Sequence, residues 1–129
     1  MVIAVAAPAR AQETELIAKA EAASRAWLDL TDAGAYSDSW DRAAVVFQAS
    51  VPKTTWIGSI QAVRPQLGRL EARALNSAKF ARSLPGAPDG EYVVIEYATR
   101  FEHKPVAIET VTPMRETDGS WKVSGYYIK

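Results

Sequence analysis

The chain has one histidine, His103, and it stands alone among charged neighbours. It lies between Glu102 and Lys104, just before Pro105, in a stretch that reads as the tip of a hairpin. A general base needs a positioned partner and a substrate within hydrogen-bond reach, and a solitary loop histidine supplies neither. The chain has no cysteine, which removes disulfide, thiolate and zinc-thiolate chemistry. No second histidine and no cluster of carboxylates completes a metal site, so neither metal nor cofactor is expected. Glycine-rich phosphate loops are also absent from every strand-to-helix junction.

Arginines and carboxylates carry more information. Arg64 falls near the end of a helix, where a cation favours the negative end of the dipole. Arg73 falls in a strand and can pair across the sheet with Glu96 or Glu109. Either arginine could instead anchor an anionic ligand through a bidentate contact. Glu109 sits in mid-strand among Ile108, Thr110 and Val111. In the register favoured below it faces outward beside Arg100; a slip of one residue turns it inward and makes it the best general-base candidate. Asp32, near the end of the first helix, is a second acidic candidate. Trp27, Tyr36, Trp40, Trp56, Tyr97 and Tyr127 either line a pocket between helices and sheet or form plain core. The residues singled out for ligand binding are Trp40, Arg64, Arg73, Tyr97, Glu109 and Tyr127.

The elements that must position these residues fall into two halves. Leu16, Ala20, Ala23, Trp27 and Leu30 recur at spacings of three and four, which predicts a helix from about Glu13 to Ala33 ended by Gly34. A second helix is capped by Asp38 and turns Trp40, Ala43, Ala44 and Phe47 inward. A third starts at Pro52 and buries Trp56, Ile60 and Val63. It ends or kinks at Pro65, with Gly68 as its stop. Leu70 to Ser83 reads as a strand with a bulge near Asn76, and Leu84 to Gly90 as a loop rich in proline and glycine. Glu91–Phe101, Val106–Glu116 and Ser120–Ile128 alternate apolar and polar residues. Asp118-Gly119 marks a tight hairpin between the last two. Helices followed by a meander predict an α+β domain, with about three N-terminal helices on one face of a four-stranded antiparallel sheet.

A two-residue loop at His103-Lys104 sets the register. It places Phe101 opposite Val106, Thr99 opposite Ile108, Tyr97 opposite Thr110 and Val93 opposite Met114, on the helix-facing side. An Asp118-Gly119 loop adds Trp121, Val123, Gly125 and Tyr127 to that side. The other face then holds Val94, Glu96, Ala98, Arg100, Glu109, Val111, Tyr126 and Ile128. So apolar a face suggests a covered surface, with homodimer formation as one means.

The 129 residues, 48% hydrophobic, are those of one domain. The 15 basic and 15 acidic side chains cancel without forming blocks, which argues against a nucleic-acid partner. No apolar run reaches the length of a membrane span. Val2–Ala7 is a short apolar run, and Ala9-Arg10-Ala11 follows Pro8 with the small residues of a signal-peptidase site. Residues 1–11 are therefore read as the remnant of a secretory signal, with a mature periplasmic or secreted domain spanning 12–129.

Several local groups, in order, are familiar: Trp27-Leu28; Asp32-Ala33-Gly34 with Tyr36; Ser39-Trp40; Trp56; Arg64 with Leu67-Gly68 and Arg73; Leu84-Pro85-Gly86 with Pro88 to Tyr92; Glu109 to Thr112; and Trp121 with Gly125-Tyr126. From about Trp27 to Ile128 the chain resembles the bacterial family known as domain of unknown function 4019. The resemblance implies an exported single-domain protein with a cystatin-like or nuclear-transport-factor-2-like fold, in which helices cover a curved sheet. It supplies no reaction and no catalytic residues. The leading functional reading is a non-enzymatic envelope domain that binds a small ligand or a partner protein. The alternatives are a small hydrolase or isomerase using an inward carboxylate among aromatics, and a structural homodimer.

Overall fold

A computed structural model describes residues 9–129, so the apolar run Val2–Ala7 lies outside the described residues. Ala9 to Ala11 form the exposed first turn of a long helix, α1 (Ala9–Asp32). Gly34, at φ 76°, ends it as its sequence position predicts, and the Ala35 N–H closes the turn onto the Leu30 carbonyl. Two short helices follow, α2 (Tyr36–Asp41) and α3 (Val45–Ser50), and then α4 (Lys53–Leu67). The single second helix expected from sequence is therefore broken in two. At the break the Ala44 N–H leaves the helical ladder and donates to the Val123 carbonyl at 2.8 Å. Asp38 lies in the first turn of α2 and does not cap it. Pro65 is accommodated in the last turn of α4, which runs to Leu67 before Gly68 stops it.

The second half is one antiparallel sheet in the order β1 (Leu70–Ala81), β2 (Tyr92–Phe101), β3 (Lys104–Arg115) and β4 (Trp121–Ile128). With the helices, these strands make the α+β architecture predicted. The bulge near Asn76 is present, as a register shift between Leu75 and Ser77.

The β2–β3 register differs from expectation by one residue. Its turn is Glu102-His103, with Phe101 opposite Lys104, and an irregularity then sets Thr99 opposite Ala107 and Tyr97 opposite Glu109. Tertiary contacts hold this turn. The Glu102 and His103 amides donate to the carbonyls of Arg69 and Leu67, each at 2.8 Å. Gly68 lies so close that a Cβ there would stand 2.7 Å from the Glu102 carboxylate and 2.8 Å from the His103 ring. The second hairpin turns through Thr117-Asp118-Gly119, with Gly119 at φ 88° and Glu116 bonded to Ser120. This is a three-residue loop with a left-handed glycine, where a two-residue loop was expected.

A one-residue slip moves every side chain to the other face. Glu109 and Val111, expected outside, are each 0% exposed and face the helices. In β4 a further shift at Ser124 keeps Trp121 and Val123 inward but brings Tyr126 and Ile128 in after them, and turns Tyr127 out. The outer face thus loses Val111, Tyr126 and Ile128 and gains Ile108 and Val106, the latter 83% exposed. Tyr92 and Met114 pack with Ala44, Val46, Leu84 and Ala87 in a second, small cluster.

The main core joins Ala20, Trp27 and Leu28 of α1 to Phe47, Trp56 and Ile60 and to Val93, Ile95, Val111 and Val123 of the sheet. Its centre is aromatic. Trp27 lies 5.8 Å from Trp56 and 5.2 Å from Tyr126, ring to ring, and its indole N–H donates to the Ser39 carbonyl at 2.8 Å. Trp27→Ala should therefore cost about 3–5 kcal/mol, measured by urea unfolding. A loss below about 1 kcal/mol, the size of a surface change, would contradict the packing described.

Candidate functional site

Where α1 ends over the sheet, four charged side chains meet in the interior. Asp32 is the last residue of α1, at the negative end of its dipole, where a carboxylate needs compensation. Arg73 of β1 supplies it with a fork: its Nη1 reaches Asp32 Oδ2 at 2.8 Å and its Nη2 reaches Oδ1 at 3.0 Å. Arg64 of α4 adds Nη2 to Oδ1 at 2.9 Å and Nη1 to the Thr31 hydroxyl at 3.2 Å. The Arg64 guanidinium also lies 4.9 Å over the Phe101 ring.

The Nε of Arg73 points the other way, to Glu109 Oε1 at 2.7 Å. Thr99 donates to the same oxygen at 2.6 Å, and the Tyr126 hydroxyl donates to Oε2. Arg73 therefore bridges two carboxylates, one on a helix and one in the middle of the sheet. Its side chain is 8% exposed, that of Arg64 5%, and that of Glu109 0%. With two cations and two carboxylates in their charged forms, the cluster is neutral.

Burial alone would lower the Arg73 pKa, but the hydrogen bonds and charges of Asp32 and Glu109 outweigh it, and the guanidinium is held charged more firmly than usual. Tyr126 is pushed well above the ordinary phenol value, first by burial and then by the charge and hydrogen bond of Glu109. Burial also raises Tyr97, whose hydroxyl is bonded to Ser24.

Of the residues singled out from sequence, the structure brings together Arg64, Arg73 and Glu109. Arg73 pairs with Glu109 rather than Glu96, and Arg64 reaches the end of α1 instead of capping its own helix. Tyr97 stands opposite Glu109 on the inner face but turns its hydroxyl to Ser24. Trp40 is remote, its indole N–H bonded to the Val51 carbonyl at 2.7 Å and its ring facing Lys53. Tyr127 is 59% exposed on the outer face. Thr99 and Tyr126 complete the cluster without having been singled out. Tyr126 was hidden by the shift at Ser124, for which Gly125 beside it and Pro113 across from it were the available signals.

Beside this closed cluster lies an open cleft of about 220 Å³ between α4 and the end of β4. Trp56, Ile60, Val63 and Arg64 wall it on one side and Tyr126, Tyr127 and Ile128 on the other, so Arg64 and Tyr127, both singled out from sequence, meet at this cleft. Arg64 and Tyr126 thus belong to both the cluster and the cleft wall. A groove of about 290 Å³ between α1 and Trp121 is rimmed instead by Asp41, Arg42 and Lys122. Among the described residues no three histidine, cysteine or acidic side chains are gathered as metal ligands, and no helix is long and apolar enough to cross a membrane.

The Tyr126 environment has a pH consequence. Above about pH 10, the ordinary tyrosine value, the unfolded chain releases the Tyr126 proton while the folded chain keeps it. The unfolded state then binds fewer protons, and stability falls as pH rises. Tyr126→Phe removes this contribution: the variant should be less stable at neutral pH by about 1–3 kcal/mol, the cost of an unmet carboxylate oxygen, yet lose stability less steeply above pH ~10. Parallel stability curves for the two proteins, from urea unfolding across that range, would contradict the assignment.

No curated protein and no solved structure matches the chain. A family model described as "Protein of unknown function (DUF4019)" matches residues 23–126, a stretch that holds every member of the buried cluster. The chain belongs to this family.

Proposed function

We propose that this chain is an exported, non-catalytic binding domain whose binding surface is the cleft between α4 and β4. The observation that carries the reading is the contrast between Glu109 and that cleft. A catalytic carboxylate must come within hydrogen-bond reach of its substrate. Glu109 has both oxygens engaged, by Arg73, Thr99 and Tyr126, and no exposed surface. Reaching it would require dismantling the ion pairs around it. The cleft a few side chains away is open and largely apolar, with Tyr126 in its wall, the usual character of a recognition site. The small residues Ala9 and Ala11 behind an apolar run support export.

A fluorescent apolar anion, 8-anilinonaphthalene-1-sulfonate, tests the cleft. Binding should be saturable at one site and should alter the fluorescence of Trp56 in the wall. Val63 lies in the same wall at 45% exposure, so Val63→Trp can fill the cleft without entering the core. The variant should weaken binding by about tenfold or more, a change of about 1.4 kcal/mol, with its unfolding midpoint nearly unchanged. Equal binding by both proteins would place the probe elsewhere and defeat the reading.

A further inference from the structure

One wall of the cleft is a strand edge, and its backbone is unpaired. β4 is the last strand of the sheet and pairs only with β3. Ile108 and Lys129 exchange both backbone bonds, at 3.0 and 2.9 Å. In an antiparallel pair such exchanges recur at every second residue, so Tyr127 faces Thr110 and Gly125 faces Thr112 in the same manner. The N–H and C=O groups of Tyr126 and Ile128 therefore point away from the sheet. No hydrogen bond among the described residues reaches them. Farther back the same edge is occupied, since the Val123 carbonyl accepts the Ala44 amide. Beyond that contact, toward the end of β4, the unpaired groups belong to residues that wall the cleft, with Trp56, Ile60 and Val63 of α4 facing it.

We infer that the occupant of this cleft is an extended polypeptide segment, added to β4 as a further strand, with apolar side chains at alternate positions. The inference rests on the cleft being the binding surface and specifies what fills it. Unpaired main-chain donors and acceptors are matched by another main chain, while alternate side chains reach the pocket beneath. A small apolar molecule would fill the same space but strip water from these backbone groups without replacing its hydrogen bonds.

The test is selection of a random heptapeptide display library on the immobilised protein, with the Val63→Trp protein as counter-selection. Enriched peptides are resynthesised as such and with single N-methyl groups at each position in turn. Apolar residues should recur at every second position. N-methylation should weaken binding by several-fold to tenfold at the alternate residues that face β4, and little at those between. Ile128→Pro removes one edge N–H that bonds nothing inside the chain. It should lose peptide affinity several-fold more than Ile128→Val, which also changes the side chain in the cleft wall but keeps the N–H; equal losses in the two variants would count against main-chain pairing. In the peptide complex the Tyr126 and Ile128 amides should exchange with deuterium more slowly than in the free protein. Absence of enrichment over Val63→Trp, or binding indifferent to N-methylation, would overturn the inference. If the dye still binds the cleft in that case, the cleft reading stands and only the peptide is refuted.

Discussion

The structure turns on one buried cation. A guanidinium taken out of water is tolerable only if its donors are matched by acceptors and its charge by opposite charge. Arg73 meets that condition with Asp32 on one side and Glu109 on the other, and those two carboxylates belong to different layers. The contact therefore ties the end of α1 to the middle of the sheet. Glu109 must face inward, so β3 must take the register in which Ile108 faces out. Thr99 is then its neighbour across the β2–β3 pair, and the shift at Ser124 brings the Tyr126 hydroxyl to its second oxygen. Arg64 shares Asp32 and fixes α4 at the same point.

This dependence explains which parts could be read from sequence. Signals that rest on local chemistry were legible: the first helix, the stop at Gly34, the bulge at Asn76 and the glycine at position 119. The buried face of that helix nevertheless runs through Ala20, Ser24, Trp27, Leu28 and Thr31, and leaves Leu16, Ala23 and Leu30 half-buried. The β3 register was not, because its apolar pattern argues for the opposite face. Val106, Ile108 and Met114 make a more hydrophobic set than Ala107, Glu109 and Pro113. Binary patterning assumes that the inner face is the apolar one, and a buried ion pair reverses that preference. The alternative in which a slip turns Glu109 inward was visible in the sequence, but choosing it required the docking of Gly68 against Glu102 and His103. Similarly, Arg64, Arg73, Asp32 and Glu109 could each be named from sequence, while their convergence could not. Tyr126 and Tyr127 exchanged roles through one extra residue at Ser124, a bulge that Gly125 and Pro113 flank but that an unbroken alternation along β4 passes over.

Polar and apolar functions are thereby separated. The titratable groups of the interior are consumed in holding layers together, and Glu109 in particular is a strut. In the proposed reading, recognition belongs to the space that the strut leaves between α4 and β4, which Arg64 and Tyr126 help to wall. The ion pair of Arg64 with Asp32 and the bond of Tyr126 to Glu109 hold two of the side chains in that wall, and a cleft held in shape costs less to occupy. The free backbone of Tyr126 and Ile128 then gives the cleft directionality that an apolar pocket alone lacks.

The central claim is that Arg73 joins Asp32 and Glu109 into one structural unit, and a double-mutant cycle measures it most directly. Unfolding free energies are compared for wild type, Asp32→Asn, Glu109→Gln and the double variant. Because both carboxylates act through the same guanidinium, the two losses should be non-additive, with a coupling of about 1–3 kcal/mol. Additivity within about 0.5 kcal/mol would mean that the two carboxylates stabilise the fold independently, and the account would fail.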